Sequence, residues 1–220
     1  MSYLLNIETS TTNCSVSLSF ENDLIDCIEQ DSLNYSHSEN LHVFINELLN
    51  KNNTKFNQLS AISVSRGPGS YTGLRIGLSA AKGLCYGLDI PLISISSLKI
   101  LANSIKFDGF IVSTMDARRN EVYSCIYDSN LNVIREEKPE IINHESFIDS
   151  SKNNKLLFIG DGQFKCKELI NTNDNFSFES SILRPTSKNM IDLAFDKLKN
   201  SDFEDLAYFE PKYLKEFRTN

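Results

Sequence analysis

Nowhere among its 220 residues does this chain gather the roughly 20 consecutive apolar residues that a membrane-spanning helix needs. The N-terminal stretch MSYLLNIETS has no basic region, no long apolar run and no small-residue cleavage site, so no secretory leader is expected. Cysteine is sparse. Cys14, Cys27, Cys85, Cys125 and Cys166 are odd in number, widely spaced and free of any CxxC pair. That pattern excludes a disulfide scaffold or zinc ribbon and points to reduced, mostly buried thiols in the cytoplasm. Basic clusters are missing as well. The densest, DARRNE, is flanked by acids in a chain of net charge −7, so any RNA it serves is expected to be held by another protein. Of three histidines, His37 and His42 stand five apart, about 140° around a helix, and do not make an i, i+4 metal pair; His144 is isolated. No serine or cysteine sits in a G-x-S-x-G or Cys/His context, so a peptidase reading has no motif behind it.

What is present reads as an α/β protein of ordinary composition, 40% hydrophobic and 23% charged. YLLNIE (3–8), CSVSLSF (14–20) and DLIDCIEQ (23–30) predict a meander of strands joined by polar turns. Leu41, Phe44, Ile45, Leu48 and Leu49 then recur on one helical face, with Ser36 and Glu39 at capping-box spacing before it. LSAISVS (59–65) predicts a buried strand, a helix follows the glycine loop, and LISIS after Pro91 is another strand. A similar order restarts near residue 105. Strands are expected over 109–128, with LNVIREE continuing them, then a helix at HESFIDSS and a strand in KLLFIGDG (155–162). TSKNMIDLAFDKLKN (186–200) predicts a helix with Met190, Leu193, Ala194 and Leu198 inward. Two lobes are therefore expected, 1–104 and 105–220, each opening with a β-meander, the last segment packing back on the first lobe.

The densest glycine segment is SRGPGSYTGLRIGLSAAKGLCYG (65–87). It fails the P-loop pattern, because Leu74-Arg75 stand where Lys-[ST] should be. It fails the dinucleotide fingerprint too, because position 72 is threonine. Anion binding at the helix N-terminus stays open beside simple tight turning, which is the reading for Gly67 and Gly69. Along the helix, Gly73, Gly77, Ala80, Leu84 and Gly87 share one stripe. Leu74, Leu78, Ala81, Cys85 and Leu88 share its neighbour, and Arg75, Ser79, Lys82 and Tyr86 lie opposite. Interior glycine costs about 1 kcal/mol relative to alanine, so the small stripe implies the close approach of another backbone: a neighbour in the same fold, or a partner helix.

NIETSTTNCSVSLS has the shape of the phosphate hairpin of actin-like kinases and ATPases. Glu8 and Ser10 occupy the positions where those enzymes place an aspartate for the metal and a glycine for phosphate. Thr9, Ser10, Thr11 and Thr12 keep hydrogen-bonding capacity, but the metal and glycine logic is weakened. The second lobe's MDARRNEVY carries Asp116, followed by Ala117-Arg118-Arg119 rather than glycine.

Taken in order, LLNIETSTTNCSVSL, VSRGPGSYTGLRIGLSAAKGLCYGLDIPLISISSL, MDARRNEVY, FIGDG and PKYL resemble the TsaB (YeaZ) family of bacterial tRNA threonylcarbamoyladenosine biosynthesis proteins over most of the chain. The resemblance implies an actin-like (ASKHA, ribonuclease-H-like) fold and a subunit without catalysis of its own. Its partner would be the TsaD-like catalytic relative, with a TsaE-like ATPase docking on the pair and tRNA reached only indirectly. The relative's H-x-x-x-H is widened here to HSENLH, so its metal function does not carry over. The family's pairing through the N-terminal lobes maps onto about 37–51 and 73–87, with Leu41, Phe44, Ile45, Gly73, Ile76, Gly77, Ala80 and Leu84 as the expected contacts. No cofactor is required on this reading. Weak ATP or ADP binding in the complex, at Glu8, Thr9, Ser10 and Thr12, and a homodimer in the partner's absence stay open. The competing reading is a small-molecule kinase or nucleotide hydrolase of the same fold, using Glu8 and its hydroxyl turn.

Overall fold

The structure is a computed structural model that describes residues 2–32, 37–171 and 173–215. Ser36, half of the expected capping box, lies outside them. The chain forms two compact units. The first takes Met1–Ile100 and Pro185–Tyr213; the second takes Leu101–Arg184 and the chain from Leu214 on. The first crossing thus falls four residues before the expected boundary, and Pro185–Tyr213 sits with the first unit.

In the first unit, β1 (Tyr3–Glu8), β2 (Asn13–Phe20) and β3 (Asp23–Asp31) form an antiparallel meander. Helix α1 (His37–Lys51) leads to β4 (Leu59–Ser65), α2 (Tyr71–Leu88) crosses to β5 (Leu92–Ile95), and α3 (Ser97–Ala102) follows. The two helical crossovers make β4 and β5 parallel to β1, and the sheet order is β3-β2-β1-β4-β5. One sheet face, carrying Leu5, Ile7, Val16 and Leu18, buries Leu41, Ile45, Leu48 and Leu49 of α1 and Leu78, Ala81 and Cys85 of α2. The other, with Leu4, Ala61, Ile93 and Ile95, is covered by Met190 and Ala194.

This second cover changes the meaning of the serine alternation in β2. An alternating strand ordinarily leaves its polar face in water, yet Ser15, Ser17 and Ser19 are fully buried. Asn6 links Ser17 to Ser63 in a ladder across three strands. Its Nδ2 donates to Ser17 Oγ at 3.3 Å, and Ser63 Oγ donates to its Oδ1 at 2.6 Å. Ser187 N donates to Ser15 Oγ at 3.0 Å. The hydroxyls of Ser15 and Ser17 are tolerated here because they find polar partners, whereas Ser19 Oγ has none among the described residues.

The second unit repeats the topology. β6 (Phe110–Asp116), β7 (Glu121–Tyr127) and β8 (Val133–Ile141) form a meander. α4 (Ile148–Ser151), β9 (Leu156–Ile159), α5 (Gln163–Leu169) and β10 (Phe176–Phe178) follow, and the sheet order is β10-β9-β6-β7-β8. Phe158 anchors the core, stacked on Phe178 at 4.9 Å and edge-on to Phe147 at 5.1 Å. The helix expected over 144–151 is only the single turn of α4, and α5 and β10 carried no recognisable period. The helix expected over 186–200 begins as a 3-10 turn, Ser187–Met190, and becomes α6 (Ile191–Lys199). Met190 and Ala194 are buried as expected, with Leu193 and Leu198 half-buried. Among the described residues, no helix is long and apolar enough to cross a membrane.

Candidate functional site

The turn between β1 and β2 is the residue set expected to meet a phosphate, and the structure closes it. Glu8, Thr9 and Ser10 are at most 1% exposed. Ser10 N donates to Glu8 Oε1 at 2.6 Å, and Thr9 Oγ1 donates to the Gly73 carbonyl at 2.8 Å. Thr12, nearer the surface, donates from Oγ1 to Asp31 Oδ1 at 2.5 Å. Burial pushes the Glu8 carboxyl up to about 7, against partial relief from Ser10 and Ser65. The glycine loop supplies the cover. A Cβ at Gly69 would stand 2.3 Å from the Ser10 carbonyl oxygen, and Ser70 N donates to that same oxygen at 2.6 Å. Ser70 caps α2, its side chain accepting from Gly73 N at 3.2 Å. Two of the amides at this helix end, Ser70 N and Gly73 N, are therefore turned toward protein oxygens.

The same turn accounts for half of the small stripe. A Cβ at Gly73 would lie 2.2 Å from the Thr9 carbonyl oxygen, and one at Gly77 would lie 2.2 Å from Thr9 Oγ1. The close approach inferred from these two glycines is to the chain's own turn. At Gly87 nothing lies within 4 Å of an added Cβ. The expectation that Gly73, Gly77, Leu41 and Ile45 face a partner is corrected accordingly. Leu41 is 0% and Ile45 2% exposed, both in the core beneath α1, and the two glycines are buried against Thr9. Phe44 is half-buried against that core.

Ile76, Ala80 and Leu84 have a different setting. They line a groove of about 670 Å³ together with Ser38 and His42 of α1 and Tyr71, Thr72, Arg75, Ser79 and Gly83 of α2. Gly83 is exposed, with nothing within 4 Å of an added Cβ. One end of the groove is stiffened by Arg75, which lies 4.1 Å over the Tyr71 ring and donates from Nε to Tyr213 Oη at 3.1 Å. Val43 and Tyr86, exposed by 57% and 84%, are further surface apolar residues of the two helices. Arg75 and Ser79, which fell on the polar side of the helical wheel, were missed as groove residues. Thr72, Ile76, Ser79 and Gly83 do recur with helical spacing, but their mixed polarity hides it. His37 and His42 diverge as their spacing requires. The former is buried with Nε2 2.7 Å from the Thr11 carbonyl oxygen, and the latter lies exposed at the groove.

In the second unit, Asp116 ends β6 and is held by Lys165 Nζ at 2.7 Å. Asp161 receives Asp116 N at 2.8 Å and has Arg184 at 3.6 Å, while burial raises its pKa. Arg118 and Arg119 form the exposed tip of the turn.

A doubled five-stranded α/β topology with a sealed hydroxyl turn and an open helix-pair groove defines a protein of the actin-like fold. The chain belongs to the family described as TsaD, tRNA N6-adenosine threonylcarbamoyltransferase, whose model matches residues 32–219. Its curated relatives include TsaB, tRNA threonylcarbamoyladenosine biosynthesis protein, of Bacillus subtilis, 37% identical over 62% of this chain and 60% of that one. TsaB of Escherichia coli is 28% identical over 96% of this chain and 94% of its own. Among solved structures, YeaZ from Pseudomonas aeruginosa superposes with a TM-score of 0.84 at 25% identity, covering 97% of this chain and all of that one.

Proposed function

We propose that this protein is a non-catalytic subunit in tRNA threonylcarbamoyladenosine biosynthesis that docks a TsaD-like catalytic paralogue on its α1–α2 face. The observation that carries the reading is the open groove beside a sealed turn. Glu8, Thr9 and Ser10, which could approach nucleotide, are buried, with Glu8 Oε1 and Thr9 Oγ1 bonded internally, whereas Ile76, Ala80, Gly83 and Leu84 border open space. The near full-length match to TsaB supports it. A cofactor-free role, a TsaE-like ATPase on the assembled pair, tRNA reached mainly through the partner, and a homodimer through the same groove when the partner is absent belong to the same proposal. So does a cytoplasmic setting, which the five free thiols support.

Gly83→Arg tests it. The new side chain enters open space, so the fold and melting temperature should hold, while affinity for the TsaD-like partner should fall at least about 100-fold as a charge fills the groove. Gly87→Arg, equally open but outside the groove lining, is the matched control and should bind normally. Unchanged partner affinity in a folded Gly83→Arg protein would sink the docking assignment.

A further inference from the structure

The tip of the β6–β7 turn uses residues that the local backbone disfavours. Arg118 and Arg119 have successive φ angles of +67° and +52°. Two left-handed residues in a row are what Asn-Gly and Gly-Gly supply in tight hairpins, because their side chains carry little or no steric penalty there. Arginine has no such advantage, and the turn already draws its backbone support from elsewhere. Arg118 N donates to Asp116 Oδ1 at 2.6 Å, and Ala117 N donates to the Glu121 carbonyl at 3.1 Å.

The guanidinium groups are not there to neutralise neighbouring acids either. Asp116 has Lys165 at 2.7 Å, Asp161 has Arg184 at 3.6 Å, and Glu121 is paired with Lys215. With each of these carboxylates matched by its own cation, Arg118 and Arg119 remain exposed as a local excess of two positive charges on an acidic chain. Paired guanidinium groups at a projecting turn suit phosphate oxygens, which they bind through charge-assisted and often bidentate hydrogen bonds.

We propose that the Arg118–Arg119 turn contacts the phosphate backbone of the RNA presented by the catalytic partner. Two cations are too few to hold an RNA alone, since phosphate-driven binding draws on many such contacts. They suit an auxiliary contact to an RNA already held elsewhere, so the inference rests on the docking reading above and adds a direct contact to it.

The test uses the full chain assembled with its TsaD-like partner and a tRNA transcript titrated across a range of salt concentrations. Arg118→Asn with Arg119→Gly fits the left-handed turn, so the variant should fold and melt no lower than the wild type. Its assembly with the partner should be unchanged. Its RNA affinity should fall about tenfold near 0.1 M salt, and the slope of log affinity against log salt should become shallower by about one to two. If the pair assembles and the variant keeps the wild-type RNA affinity and slope, the contact is overturned while the docking reading stands. Weakened assembly with unchanged RNA binding overturns it too, by assigning the turn to a protein interface. If the wild-type pair does not assemble, both readings fail.

Discussion

Gly73→Ala should destabilise the first unit by about 3 kcal/mol or more, although alanine is the better helix former by about 1 kcal/mol. The added methyl would stand 2.2 Å from the Thr9 carbonyl oxygen, a backbone atom just past the end of the central strand β1 that cannot move without disturbing the sheet. Gly77→Ala should cost about 2 kcal/mol for a different reason, because its obstacle is Thr9 Oγ1, an atom that can be deleted. Thr9→Ala alone loses the hydrogen bond to the Gly73 carbonyl, about 1 kcal/mol. Combined with Gly77→Ala it should recover about 2 kcal/mol relative to the sum of the single changes, whereas combined with Gly73→Ala it should recover almost nothing. Denaturant unfolding of the five variants reads this directly. Equal rescue at both positions, or no loss at either, would show that these glycines do not make room for the Thr9 turn.

The second large effect is a pH dependence at Glu8. Its carboxyl is fully buried and titrates near 7 rather than 4.5. Between those values the folded chain holds a proton that the unfolded chain has released, so stability falls as pH rises through the window and levels off above it. The loss attributable to this group is about 3 kcal/mol. Gln at position 8 keeps an oxygen for Ser10 N and carries no charge. Glu8→Gln should therefore gain little near pH 4.5 and about 3 kcal/mol near pH 8, measured as the difference between the two proteins' unfolding free energies at each pH. A difference that does not grow with pH would mean that Glu8 is charged in the folded state throughout. The same protein tests the competing enzyme reading, which requires wild-type ATP turnover and its loss in this variant.

How much of this was legible beforehand depended on the range of the interactions involved. The α1 core face could be read because helical period and burial coincide: Leu41, Ile45, Leu48 and Leu49 all point inward. The strands of both meanders were equally readable from local pattern. By contrast, the burial of the β2 serines depends on the cover supplied by residues some 170 positions later. The glycine stripe was correctly taken as a sign of close approach, but spacing could not say whose backbone approaches. Only the fold identifies Thr9. The path of 202–213 has no period to read. It is fixed by contacts such as Lys212 N to the Arg66 carbonyl at 2.8 Å and Glu204 N to the Leu92 carbonyl at 2.9 Å, each made to a distant part of the chain.

That long return sets an order of events during synthesis. The second unit's main span, Leu101–Arg184, is continuous and emerges from the ribosome before the residues that finish the first. Until Met190 and Ala194 arrive, Leu4, Ala61, Ile93 and Ile95 have only Ile100 of that cluster beside them, and the serine ladder lacks its Ser187 partner. The unit translated first thus waits for a segment made after the main span of the second. A nascent chain halted after Arg184 would present an incompletely covered apolar sheet face, and a chaperone that shields such surfaces would meet this protein through its N-terminal unit.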